Sequence, residues 1–172
     1  SAVVAPSLAN IEDDGEGAVA LYYSRDVANW VADGNGFWES DGNSEGFWSM
    51  PPEDATLMRF SRFLGDSFIL SIYDEFIATA VDVFVADVIL MGESSSGETL
   101  QIAGELSIAG PVEMGVSRLL VDQLDPMQVH GAILLGSPGH SGELSIASEA
   151  SVQAHGGLIM TASGSLGINT SG

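Results

Sequence analysis

Hydrophobic and polar positions along this chain change period from segment to segment, and most segments favour strands. Thr99–Ala109 alternates, as do Val129–Leu135, Glu143–Ala154 and Leu158–Ile168. Gly136–Gly142 and His155-Gly156-Gly157 read as the turns between the last three. Residues 117–124 fit a strand or a short helix before Pro126. Residues 67–91 carry two overlapping signals. Ile72, Phe76, Ala80, Phe84 and Val88 recur every fourth position, which suits a buried helix. Their β-branched neighbours favour strands near 67–73 and 76–91, with Gly92–Gly97 as the loop that follows.

The first third is less regular. Val19–Tyr23 reads as a strand and Asp26–Val31 as one helical turn. Asp33-Gly-Asn-Gly and Asp41-Gly-Asn are turn signals, and a Gly-Phe-Trp tripeptide occurs at Gly36 and again at Gly46. Pro51–Leu64 predicts a helix. Two prolines suit its first turn, Glu53 and Asp54 suit its positive end, and Leu57, Phe60, Phe63 and Leu64 share one face. Gly65 supplies the stop.

Taken together, these elements predict a single domain over residues 1–172, an antiparallel, jelly-roll-like β-sandwich with one or two short helices. Residues 1–54 form its acidic, aromatic, turn-rich region, and 126–172 its C-terminal strand meander. The hexapeptide Gly104–Ala109 recurs without change as Gly142–Ala147. Two copies suggest two equivalent strand positions and are too few for a solenoid, which needs at least three stacked units.

Composition changes the picture in one respect. The 24 acids face four arginines and no lysine, a formal net charge of −20, although hydrophobic residues make up 45% of the chain. So large a charge repels itself in dilute buffer, and molar salt screens it. High-salt surroundings are the expected setting, as in a halophilic host. Arg25, Arg59, Arg62 and Arg118 are scattered among acids, which argues against nucleic acid and against an anionic membrane surface. With no cysteine there is no disulfide, thiolate nucleophile or zinc–sulfur site. No apolar run is long enough to insert in a bilayer as a helix.

The charge is also segregated. Residues 126–172 hold only Glu143 and Glu149. In so acidic a protein, strands this poor in charge are expected to be covered by the fold or by a neighbouring subunit. Leu134, Leu144, Ile146, Leu158 and Ile159 are the expected interface residues.

Candidate chemistry is sparse. Asp41, Asn43 and Glu45, followed by Gly46, follow the opening of a calcium loop, but Glu53 falls one position late and two prolines intrude. Ca2+ is the one cofactor this suggests. His130, His140 and His155 match no zinc spacing. Trp38 and Trp48 are candidates for stacking on a sugar or contacting a partner. No P-loop, dinucleotide fingerprint or nucleophile elbow is present, so catalysis is not expected.

The expected function is therefore a structural subunit of a self-assembling particle, a capsid, decoration or tail protein in a virion. Its partners would be copies of itself and other structural proteins, and its location the virion or an extracellular, salty medium. A carbohydrate- or calcium-binding sandwich module is the alternative, and an extracellular filament subunit the third expectation.

Overall fold

The computed structural model describes residues 26–39, 46–72, 76–78, 82–91, 99–111, 115–122 and 126–168. The strand expected at Val19–Tyr23 and the loop expected at Gly92–Gly97 lie outside these residues.

Short strands separated by sharp corners account for nearly all of the described chain. In order they are β1 (Val27–Asn29), β2 (Gly36–Phe37), β3 (Leu57–Phe60), β4 (Phe68–Ser71), β5 (Phe76–Ala78) and β6 (Asp82–Val85). Next come β7 (Val88–Met91), β8 (Leu100–Ile102), β9 (Leu106–Ile108), β10 (Gly110–Pro111), β11 (Ser117–Val121) and β12 (Met127–Val129). The last are β13 (Ile133–Leu135), β14 (His140–Ile146), β15 (Val152–Ala154), β16 (Leu158–Met160) and β17 (Gly164–Ile168).

Each strand hydrogen-bonds to the strand one circuit later, and almost all pairings are parallel. The first face stacks β1, β3, β6, β9, β13 and β16. The second stacks β2, β4, β7, β11, β14 and β17. The third stacks β5, β8, β12 and β15. From β3 onward the chain visits first, second and third face in turn, so the fold is a three-sided parallel β-solenoid. Among the described strands only β10, a two-residue excursion, pairs antiparallel to a neighbour, β14.

This overturns the antiparallel jelly-roll sandwich. The alternation that suggested long strands is real, but a corner interrupts it every three to five residues. Thr99–Ala109 is β8 and β9 on different faces, bent at Ala103–Glu105. Val129–Leu135 is likewise bent at His130–Ala132. The hexapeptide copies are both strands, yet β9 lies on the first face and β14 on the second. They share an inward Leu followed by a more outward Ser, but Gly104 lies at the bend before β9 whereas Gly142 lies inside β14, so they hold no equivalent position.

The helix expected at Pro51–Leu64 is a single 3-10 turn at Pro52–Asp54, followed by β3. Period two prevails over period 3.6 there because Met58 and Phe60 point into the core while Arg59 points out. The helical turn expected at Asp26–Val31 is β1. The fourfold spacing in residues 67–91 does not mark a helix: β4, β6 and β7 are four-residue strands in which buried and less buried positions alternate.

The core is a set of side-chain columns running along the solenoid axis. On the first face Ala28, Met58, Val83, Leu106, Ile133 and Leu158 are successive partners. Beside them run Phe60, Val85, Ile108, Leu135 and Met160. On the second face Phe68, Ile89, Leu119, Leu144 and Leu166 form another column. Parallel stacking in register puts like side chains one strand spacing apart, so each circuit buries the apolar face of the one before it.

Aromatic residues close the N-terminal end. Trp30 stacks on Phe47 at 5.6 Å and on Phe68 at 5.6 Å, and meets Trp48 edge-on at 5.2 Å. Trp38 meets Phe60 edge-on at 5.1 Å.

Asp87 fastens one corner. It is buried, and its carboxylate accepts the backbone N–H of Arg62 at 3.0 Å and of Leu64 at 3.2 Å from the preceding circuit. Asp87→Ala leaves both amides short of an acceptor and is expected to cost about 1–3 kcal/mol. Asp87→Asn keeps one amide oxygen and should recover part of that loss. Urea unfolding of the three proteins measures the difference, and an Ala variant as stable as the parent would refute the role.

Candidate functional site: the open C-terminal rung

The last circuit is formed by β15, β16 and β17, and among the described residues no strand lies beyond it. The interior columns therefore run out to the surface. Leu158 is 44% exposed, Met160 53%, Leu166 38% and Ile168 61%. Their partners one circuit earlier, Ile133, Leu135 and Leu144, are buried, and Ile146 packs against the core. Ile159, on the outer side of β16, is 56% exposed and continues a ladder with Leu134 and Ser107. Apolar side chains and unpaired strand edges thus share one end of the rod. Such an edge is a template for another strand unless something covers it.

Charge is absent where the apolar residues are exposed. From Ala150 to Ile168 there is no Asp, Glu, Lys or Arg. Glu143, on the neighbouring strand, is paired with Arg118 and also accepts the Ser145 hydroxyl at 3.2 Å and the Ser165 hydroxyl at 3.3 Å. This cluster ties β17 to β14 and β11 across the outside of the second face.

Of the five residues expected at an interface, Leu158 and Ile159 lie on the open rung and Leu134 is half-buried on the outer first face. Leu144 belongs to the buried core, and Ile146 packs against it. Trp38 is fully buried, so its ring face is not open to a sugar. Trp48 is partly buried and donates its indole N–H to the Phe37 carbonyl at 3.2 Å. Asp41, Asn43 and Glu45 lie outside the described residues.

The histidines do not converge as three. His130 and His155 stack face to face at 5.0 Å and 8° on the corner that leads to β13 and β16. His140 begins β14 at a different corner. Among the described residues no group of three or more His, Cys, Asp or Glu is placed to hold a metal ion. No described helix is long and apolar enough to cross a membrane.

A shallow groove runs over the outer first face between Arg59, Phe84 and Ser107, with Asp82 and Glu105 along its side. Its polar groups are engaged with one another. Arg59 donates to Asn29 at 2.8 Å, Asp82 accepts the Glu105 amide at 3.0 Å, and Ser107 donates to Glu105 at 3.3 Å.

One ladder was present in the sequence in plain form. Gln101, Gln128 and Gln153 are register partners along the third face. Each opens the pattern Gln-x-x-Gly-x-Leu/Ile, as Gln101-Ile-Ala-Gly104-Glu-Leu106, Gln128-Val-His-Gly131-Ala-Ile133 and Gln153-Ala-His-Gly156-Gly-Leu158. Three such units at intervals of 27 and 25 residues are the solenoid signal that the exact hexapeptide obscured. Set against protein-family models, curated proteins and solved structures, the chain matches none.

Proposed function

We propose that this chain is a structural subunit, a short β-solenoid rod that self-assembles through its C-terminal rung. The observation that carries this is the emergence of the core columns, uncovered and uncharged, at Leu158, Met160, Leu166 and Ile168. Interfaces deplete charge at their centres, and a patch of this kind on a soluble rod marks a contact site. The flat stacked faces suit scaffolding better than catalysis, because the groove on the first face has its polar groups already paired. The virion expectation was drawn from charge and composition, and the jelly-roll sandwich expected beside it is replaced by a parallel solenoid. Nothing in the fold points to a virion or to a halophilic host.

Light scattering on the 172-residue chain, at protein concentrations up to about 100 μM and in salt from dilute buffer to 1 M, tests the proposal. Association should strengthen with salt, because screening at a Debye length of roughly 3 Å removes the repulsion between two acidic rods. Ile168→Asp places a charge on the exposed end of a column and should leave the rod monomeric, with a melting temperature within a few degrees of the parent. A parent that stays monomeric throughout, or an Ile168→Asp protein that associates as the parent does, rules the proposal out.

A further inference from the structure

We infer that the occupant of the open rung is the same rung of a second copy, turned about a two-fold axis that passes beside Ile159. The inference rests on the assembly proposed above and names its partner and geometry.

Charge selects the class of partner. An acidic or basic protein has nothing to pair with between Ala150 and Ile168, where no charged side chain occurs. Elsewhere the chain is acidic, so two copies repel at nearly every other approach. At this end an apolar, neutral surface meets its like without concentrating charge.

The N-terminal end selects the orientation. A head-to-tail contact would lay β16 of one copy against β1 of the next. The Asn29–Val31 end of that edge is already taken by residues 47–49 of its own chain. The Val31 amide donates to the Phe47 carbonyl at 2.8 Å, and the Ser49 amide donates to the Asn29 carbonyl at 2.9 Å. Trp30 and Trp48 form an antiparallel bridge in the same segment. A second rod cannot stack there without displacing it. The free end must then meet another free end.

The symmetry follows from the strands. A two-fold axis perpendicular to the rod sets β16 antiparallel to its copy, with Ile159 opposite Ile159 and Leu158 opposite Met160. Antiparallel pairing satisfies both strand edges at once and needs no continuation of the parallel coil. The contact is isologous, so it closes at two subunits and does not grow into a fibre. Strands of three to five residues at roughly 3.3 Å per residue make a small footprint, at the low end for specific interfaces. The dimer should accordingly dissociate on dilution.

Cysteine cross-linking reads the geometry in a chain that has no cysteine of its own. Ile159→Cys sits on an exposed, outward position, so folding should be unaffected. Opposed residues in an antiparallel pair bring their Cβ atoms to about 4.5–5.5 Å, near disulfide range. Under mild oxidation in 1 M salt, Ile159→Cys should give a covalent dimer at least tenfold faster than a Ser107→Cys control placed midway along the same face. Selective cross-linking at Ile159, with scattering that stops at the dimer, supports the inference. A dimer without that selectivity, or a species larger than a dimer, overturns this geometry and leaves self-assembly standing. A parent that is monomeric at every concentration and salt overturns both.

Discussion

Gly142→Val should be the most damaging single substitution on the second face, lowering stability by about 3 kcal/mol, the top of the usual overpacking range, and the melting temperature by roughly 6–12 °C. Gly142 is buried within β14, where it pairs with Ser117 of β11 and Gly164 of β17. A Cβ there would overlap the carbonyl oxygen of Ile108, lie 2.6 Å from its carbonyl carbon and 2.9 Å from the Gly136 amide nitrogen. All three are backbone atoms, and Ile108 is held in β9 by neighbours on both sides. None of them can rotate aside as a side chain would. The Ile108 carbonyl also accepts the Gly136 amide at 2.9 Å, so moving it breaks a corner bond. Gly139 provides the control. It has φ of +77° but open space around its Cβ position, so Gly139→Ala meets only the backbone cost of about 1–2 kcal/mol. Thermal unfolding of the two variants separates close approach from backbone conformation. Equal losses would mean that the Gly142 contact yields more easily than its geometry implies.

Corners explain which part of the fold was legible in the sequence. Alternation marked most of the strands, because inward and outward positions alternate in β9, β11, β13 and β14 as they would in a sandwich. Strand direction left no comparable mark. In a sandwich the corner after each strand reverses the chain. Here the corner turns it by only part of a circuit, and three corners return it parallel to itself. The residues that make such a corner are small or polar in both architectures. Gly104, Gly131 and Gly156 stack directly, with Gly131 donating to the Gly104 carbonyl at 2.8 Å and Gly156 to the Gly131 carbonyl at 3.0 Å. Three glycines at near-equal intervals, each three residues after a glutamine, carried the parallel register. The exact hexapeptide is the more conspicuous repeat, and it does not carry that register.

The candidate site was legible in its charge and only partly in its residues, since Leu158 and Ile159 lie on it while Leu144 lies in the core. The scarcity of acids after Pro126 predicts covered strands, and the structure divides them. β13 and the middle of β14 are buried by the fold, whereas β15, β16 and β17 are largely exposed. The pattern cannot say which side of a strand faces the core. Leu144 and Leu158 are both leucines in alternating segments. One is buried by β17 and the other is exposed because no described strand lies beyond it. Exposure at the end of a solenoid depends on position along the axis, which local sequence does not encode. The aromatic zone failed in the opposite way. Trp38 sits in a turn-rich, acidic neighbourhood that suggests a surface platform, but the turn folds its ring inward against Phe60.

That inward folding sets up the second large effect. Trp30→Ala is expected to cost about 3–5 kcal/mol, in the range of large aromatic truncations in a core. Trp30 is buried and touches four other aromatic rings, Phe47, Trp48, Phe60 and Phe68. Removing it takes away the surface against which residues 47–49 are packed. In a solenoid each circuit leans mainly on its neighbours, so damage at one end need not spread to the other. Hydrogen exchange should therefore show β1 and β2 losing protection while β11 and β14 keep theirs, a pattern of fraying. Freeing the outer edge of β1 also opens a second strand template beside the one on β16. The Trp30→Ala protein should accordingly form species larger than a dimer in high salt, in which the newly opened edge meets the C-terminal rung. If it loses stability uniformly and stays no larger than the parent, the aromatic end is a core element alone and does not limit assembly.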